Sequence, residues 1–261
     1  MMLLFLCLIL FTITNSTTLP PLFFLPGFSG SELYVSISDA SLLSPLPESC
    51  ITAGIPLNGD RFLARFNATL ELKYPECIHY LLTLSFDEST LAFSSRPGVE
   101  VSVLGFGEFL GISPVYWPLA ERMAKEWGYR IDHNFFGVPY DYRFSSPASL
   151  TTINFIGQLQ ALIEATYSSS NNTPVLLIGH SNGGPTLYSF LSAMTQEWRS
   201  KYISAMIGLS GNFLGQMNDL GDFVYAGDKP WSKSEQVCVL TSYLVLFVSP
   251  SLRYYYYFFP Y

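Results

Sequence analysis

The stretch Val175-Leu176-Leu177-Ile178-Gly179-His180-Ser181-Asn182-Gly183-Gly184 constrains this chain more than any other. Four uncharged apolar residues read as a buried strand, and they run directly into Gly-x-Ser-x-Gly. The pattern from Thr186 to Trp198 is helical, so the serine falls on a strand-to-helix turn. A serine lifted out of a sheet in this way needs a sharp turn, and the flanking glycines are required because a Cβ at either place meets neighbouring backbone. The alternative is an ordinary glycine-rich turn between a strand and a helix. With both flanking elements present, Ser181 is expected to be a nucleophile. The helix that starts just after it directs its amides and positive dipole end toward a developing oxyanion, with the Asn182 N–H as one donor. His180 adjoins the serine but leaves the turn in another direction, and is expected to be packed or hydrogen-bonded rather than a general base.

The rest of the chain supports an α/β class. Leu22 to Leu25 reads as a buried strand stopped by Pro26-Gly27, Val115 to Trp127 as a helix stopped by Gly128, and Asn134 to Val138 as a short strand. Leu150 to Tyr167 carries Ile153, Ile156, Leu159, Leu162, Ile163 and Ala165 at helical spacing, and Tyr202 to Leu209 supplies a further strand. Strands alternating with helices of this length form βαβ units, hence a parallel sheet with helices on both faces. Leu25 to Gly30 is a glycine-bearing loop after an early strand, the usual source of a second oxyanion donor, and Phe28 N–H is the candidate.

Composition narrows the partners. Among 261 residues, 13 Lys and Arg stand against 20 Asp and Glu, a net charge of −7 that argues against binding nucleic acid. No cluster of carboxylates and imidazoles has metal-ligand spacing, so neither a metal nor another cofactor is expected. Residues 1–18, with the apolar run Leu3 to Ile13, read as a signal peptide, 19–236 as the α/β domain that bears the serine turn, and 237–261 as an atypical apolar and aromatic tail. Within that tail, Val237 to Val248 is expected to be a buried strand or helix. Entry to the secretory pathway agrees with sequons at Asn67 and Asn171, both in polar stretches. In an oxidising compartment Cys50 and Cys77 can close a loop, Cys7 leaves with the signal peptide, and Cys238 has no partner.

Several separated segments, from about Leu22 to about Gly215, resemble the lecithin:cholesterol acyltransferase family, which includes lysosomal group XV phospholipases. They are Leu25 to Leu33, Pro97-Gly98-Val99 followed by Gly105-Phe106-Gly107, and Gly137 to Arg143, where Tyr142 stands in place of the usual tryptophan. The resemblance implies an α/β-hydrolase fold, with 19–236 a partial hydrolase domain, and a lid closed by a Cys50–Cys77 disulfide. It also implies attack by Ser181 on a phospholipid ester, and transfer of the acyl group to water or to a lipid alcohol at a membrane or lipid-particle surface. Ile51, Ile55, Leu57, Phe62, Leu63, Phe66 and Leu70 give the lid loop apolar groups suited either to dip into lipid or to pack on the core.

Such hydrolases supply Ser, Asp and His in that order. The three histidines here are His79, His133 and His180, none after Ser181, and Asp219, Asp222 and Asp228 follow the serine too closely to match the family's later aspartate. A fold lacking its C-terminal strands, from either a piece of a longer protein or a degenerate copy, is therefore expected. The alternatives to an acyltransferase or phospholipase are a non-catalytic lipid-binding relative and a general esterase or lipase.

Overall fold

The computed structural model describes residues 19–43, 45–90, 92–144, 150–151, 153–213, 244–248 and 253–257. The expected signal peptide, Cys7, Cys238, Asp219, Asp222, Asp228 and most of the atypical tail lie outside them. In chain order the strands are β1 (Leu22–Leu25), β2 (Tyr34–Ile37), β3 (Phe62–Leu63), β4 (Leu84–Asp87), β5 (Ala92–Ser95), β6 (Val99–Ser102), β7 (Phe135–Gly137), β8 (Val175–His180), β9 (Ile203–Leu209), β10 (Leu244–Val248) and β11 (Arg253–Tyr257). The helices are α1 (Glu48–Ala53), α2 (Ala68–Lys73), α3 (Pro75–Leu82), α4 (Trp117–Trp127), α5 (Phe155–Ser169), α6 (Gly183–Ala193) and α7 (Gln196–Tyr202).

The main sheet runs β11-β10-β9-β8-β1-β7, with β7, β1, β8 and β9 parallel and β10 and β11 antiparallel at one edge. Period-two alternation divides the buried side chains between its faces. Phe23, Leu25, Val175 and Leu177 join the buried side of α5 and α6, while Leu22, Phe24, Leu176 and Ile178 pack with Ala120 and Met123 of α4. Because β8 is the central strand, its whole apolar run is buried, and the chain leaves the sheet only at Ser181.

Two helices differ from the expected bounds, each for a local reason. Asn154 takes a left-handed φ of 52°, so the regular part of α5 begins at Phe155 rather than near Leu150. The pattern from Thr186 to Trp198 divides in two, because Met194 is extended and Thr195 caps a new helix by accepting the Trp198 N–H at 3.2 Å.

A second layer of structure was not anticipated. The three-stranded sheet β3-β2-β6 and the hairpin β4-β5 are built from strands of two to four residues, too short for a periodic signal. The three-stranded sheet and α1, α2 and α3 enclose a small core of their own, centred on the Cys50–Cys77 disulfide, and the hairpin β4-β5 lies outside it. The lid residues divide accordingly. Ile55 and Leu70 are buried in this core, Phe62, Leu63 and Phe66 are half-buried, and Ile51 and Leu57 face solvent.

The Pro139-Tyr140-Asp141-Tyr142-Arg143 segment joins this unit to the sheet. The Arg143 guanidinium forks onto Asp141, with both side chains about nine-tenths buried. It also donates to the Leu82 carbonyl at the end of α3 and to Ser95 Oγ on β5. Removing one partner strands a buried charge, at a cost of about 3–5 kcal/mol. Arg143→Met is therefore expected to lower the unfolding free energy by about that amount in chemical denaturation, whereas an Asp141→Asn/Arg143→Met pair should lose much less than the sum of the single changes.

Candidate active site

Ser181 sits at the C-terminal end of β8 with φ 50°, a left-handed conformation unusual for a residue with a Cβ. Three backbone constraints hold it there. Its N–H donates to the Leu209 carbonyl at the end of β9 (2.8 Å), its own carbonyl accepts from Gly184 N–H (3.0 Å), and α6 begins two residues later. A Cβ on Gly179 lies 2.5 Å from the Gly183 carbonyl oxygen, and one on Gly183 lies 2.6 Å from the carbonyl oxygens of Leu25 and Pro26. Both distances are shorter than any carbon side chain tolerates, so each glycine of the motif is demanded by the turn.

The loop after β1 packs against this turn. Gly30 N–H donates to the Gly27 carbonyl (3.0 Å), closing a tight bend that carries Phe28 and Ser29 at its tip. A Cβ on Gly27 lies 2.9 Å from Ser181 Cβ and 3.1 Å from His180 Nδ1, so Gly27 allows the loop to approach the serine. Among the described residues, neither the Phe28 nor the Asn182 amide donates to a backbone carbonyl. The Phe28 ring is mostly exposed and stands edge-on to Tyr142, with centroids 4.9 Å apart. Asn182 anchors the other side of the turn by donating from Nδ2 to the Tyr140 hydroxyl at 3.3 Å, and burial pushes the Tyr140 phenol up to about 12.

His180 is hydrogen-bonded as expected: Nδ1 lies 2.9 Å from the hydroxyl of Tyr116, which in turn accepts the Gly27 N–H at 3.1 Å. The imidazole is thus joined through one phenol to the loop beside Ser181. Burial holds the His180 pKa below the ordinary histidine value, favouring the neutral ring, and pushes the Tyr116 phenol up. The other histidines stand elsewhere. His79 is exposed on α3, and His133 precedes β7, at the opposite end of the parallel sheet from Ser181.

Two contributors to this neighbourhood were not foreseen. Tyr116 lies at the start of a stretch expected only to be helical, and its contact with Gly27 spans 89 residues. Arg65, from the disulfide-closed segment, donates from Nε and Nη2 to Ser29 Oγ at 2.8 and 2.5 Å. No local sequence signal marks either one.

The two sequons occupy different settings. Asn171 is exposed in the loop between α5 and β8, whereas Asn67 caps α2, accepting the Leu70 N–H and donating from Nδ2 to the Leu63 carbonyl. Among the described residues no group of three or more His, Cys, Asp or Glu side chains is placed to hold a metal ion.

A family model for lecithin:cholesterol acyltransferase matches residues 63–230, which include the serine turn with β7, β8 and β9. The chain belongs to the lecithin:cholesterol acyltransferase family. It is similar to lecithin-cholesterol acyltransferase-like 1 of Arabidopsis thaliana, 28% identical over 78% of this chain and 51% of that protein. The human lysosomal phospholipase A and acyltransferase is 29% identical, over 75% of this chain and 47% of the relative. Phosphatidylcholine-sterol acyltransferase of Gallus gallus is 26% identical, over 79% and 49%. The chain thus spans about half the length of the curated relatives it matches. Family membership and the parallel sheet with helices on both faces make the fold an α/β-hydrolase, with the disulfide of the lid formed as expected.

Two stability predictions follow from this geometry. Ser181→Gly relieves the left-handed strain and is expected to raise the unfolding free energy by about 1 kcal/mol, while Ser181→Ala, which keeps a Cβ, should not. The depressed His180 pKa means that the unfolded chain takes up a proton before the folded chain does. Stability from this group is therefore complete above about pH 6.5 and declines as pH falls from there toward the folded pKa. Denaturation midpoints measured from pH 8 to pH 5 should fall more gently in His180→Asn than in the parent chain.

Proposed function

We propose that this chain carries the nucleophile and oxyanion site of a lipid O-acyltransferase or phospholipase of the lecithin:cholesterol acyltransferase type. Ser181 Oγ attacks an ester carbonyl of a phospholipid as a base takes its proton, the negative oxygen is received by the amides of Phe28 and Asn182, and collapse breaks the ester C–O bond, so that the lysolipid leaves as an alcohol carrying that proton. The acyl group remains on Ser181 until water or a lipid alcohol removes it. The observation that carries this reading is the left-handed Ser181 turn, packed against the glycine loop after β1, in a chain of this family. An ordinary strand-to-helix turn has no need to hold a serine at φ 50° opposite such a loop.

Attack requires a base to take the hydroxyl proton. His180 does not suit that role: among the described residues no hydrogen bond joins it to Ser181, and burial disfavours the imidazolium that accepting a proton would make. His79 and His133 also stand away from the serine turn, and an oxyanion site with substrate binding alone sustains about 10³- to 10⁴-fold over water in serine hydrolases. The same observation favours a second reading, a lipid-binding relative without catalysis. A secreted or lumenal setting fits the disulfide, exposed Asn171 and the lysosomal relative, and the solvent-facing Ile51, Leu57 and Leu72 offer contacts to a lipid surface. Among the described residues no helix is long and apolar enough to cross a membrane.

The test is fluorophosphonate labelling and fatty-acid release from phosphatidylcholine vesicles, each with and without added imidazole as an external base. Labelling and release that rise with imidazole and vanish in Ser181→Ala are expected. Vesicle binding with neither labelling nor release above the Ser181→Ala control would overturn the catalytic reading in favour of lipid binding.

A further inference from the structure

The oxyanion loop is gripped from two sides. On one, Tyr116 accepts the Gly27 N–H. On the other, Arg65 reaches from the segment closed by Cys50 and Cys77 and forks onto Ser29 Oγ. Ser29 needs such support, because its φ of 59° is left-handed, and it directly follows Phe28, whose amide is the proposed donor.

Arg65 is itself held in place. Its Nη1 pairs with Glu71 Oε1 on α2 at 2.6 Å, and the same oxygen accepts the Phe66 N–H, fixing the left-handed turn at Phe66. The backbone of Arg65 donates to the Leu33 carbonyl just before β2. The guanidinium therefore spans two anchors: the N-terminal region of α2, within the segment closed by the disulfide, and the tip of the loop beside Ser181.

We propose that Arg65 is a positioning residue, by which the disulfide-closed segment sets the conformation of residues 26–30 and so the placement of the Phe28 amide. Its catalytic consequence rests on the reading of Ser181 as nucleophile, but its structural content does not. A half-exposed arginine on the surface of a lid would ordinarily contribute little. This one has a planar fork that satisfies one hydroxyl and one carboxylate together, which a lysine does not reproduce.

The experiment uses the full chain and compares Arg65→Ala, Arg65→Lys and Ser29→Ala with the parent, by hydrogen exchange and by the initial rate of Ser181 phosphonylation in imidazole. Arg65→Ala is expected to speed exchange of the Gly27 and Gly30 amides about tenfold and to slow phosphonylation about ten- to hundredfold, with exchange in α4 and α6 unchanged. Added methylguanidinium should restore part of both in Arg65→Ala and neither in Ser29→Ala, and Arg65→Lys should resemble the alanine variant. Should Arg65→Ala not fold, Ser29→Ala removes the same contact from the loop side and is expected to loosen the same two amides. Unchanged Gly27 and Gly30 exchange, or loosening spread evenly over the chain, would overturn the inference. If the parent is never labelled but Arg65→Ala loosens the loop, the nucleophile reading falls while the structural role of Arg65 stands.

Discussion

The backbone conformation at Ser181 is the constraint on which the rest of the site depends. A strand buried on both faces and a helix separated from it by two residues leave the chain one abrupt reversal, and the residue at that reversal is left-handed. Glycine would adopt it without strain, yet a serine is there. The strain is sustained because the turn is over-determined, by Leu209 on one strand, by Gly184 on the helix, and by the carbonyls of Leu25 and Pro26 that leave no room for a side chain at Gly183. What the fold obtains is a hydroxyl at the end of the central strand, next to the first amides of a helix.

The surroundings of that turn are organised by polar contacts from distant parts of the chain. Tyr116 joins the neutral His180 to Gly27, Asn182 reaches Tyr140, and Tyr142 supports Phe28. Tyr140 and Tyr142 flank Asp141, whose ion pair with Arg143 fastens α3 and β5 to the sheet. One five-residue segment therefore serves both the serine turn and the attachment of the disulfide-closed unit. The tyrosine that replaces the family's tryptophan at position 142 keeps an aromatic face for Phe28 and adds a phenol beside Ser29 and Arg65.

The parts of this architecture that could be read from sequence are those set by local sterics and long periods. The serine turn was legible because only glycine fits on either side of it, and the parallel strands because their apolar runs are uninterrupted between helices with clear stripes. The division of α6 from α7 was hidden, since Thr195 falls within a continuous apolar pattern and its capping role depends on the extended Met194. The small sheets are too short to have a period. The roles of Arg65 and Tyr116 rest on contacts spanning 36 and 89 residues, and only the folded chain brings those partners together.

The central claim is that Ser181 Oγ faces a hollow lined by the amides of Phe28 and Asn182. The most direct measurement is a crystal structure of the chain after covalent capture by a phosphonate, whose charged oxygen imitates the oxyanion. The account predicts phosphorus bonded to Ser181 Oγ, with that oxygen about 2.7–3.1 Å from both amide nitrogens. Phosphorus bonded to another side chain, or an oxygen on Ser181 turned to solvent with both amides paired elsewhere, would contradict it.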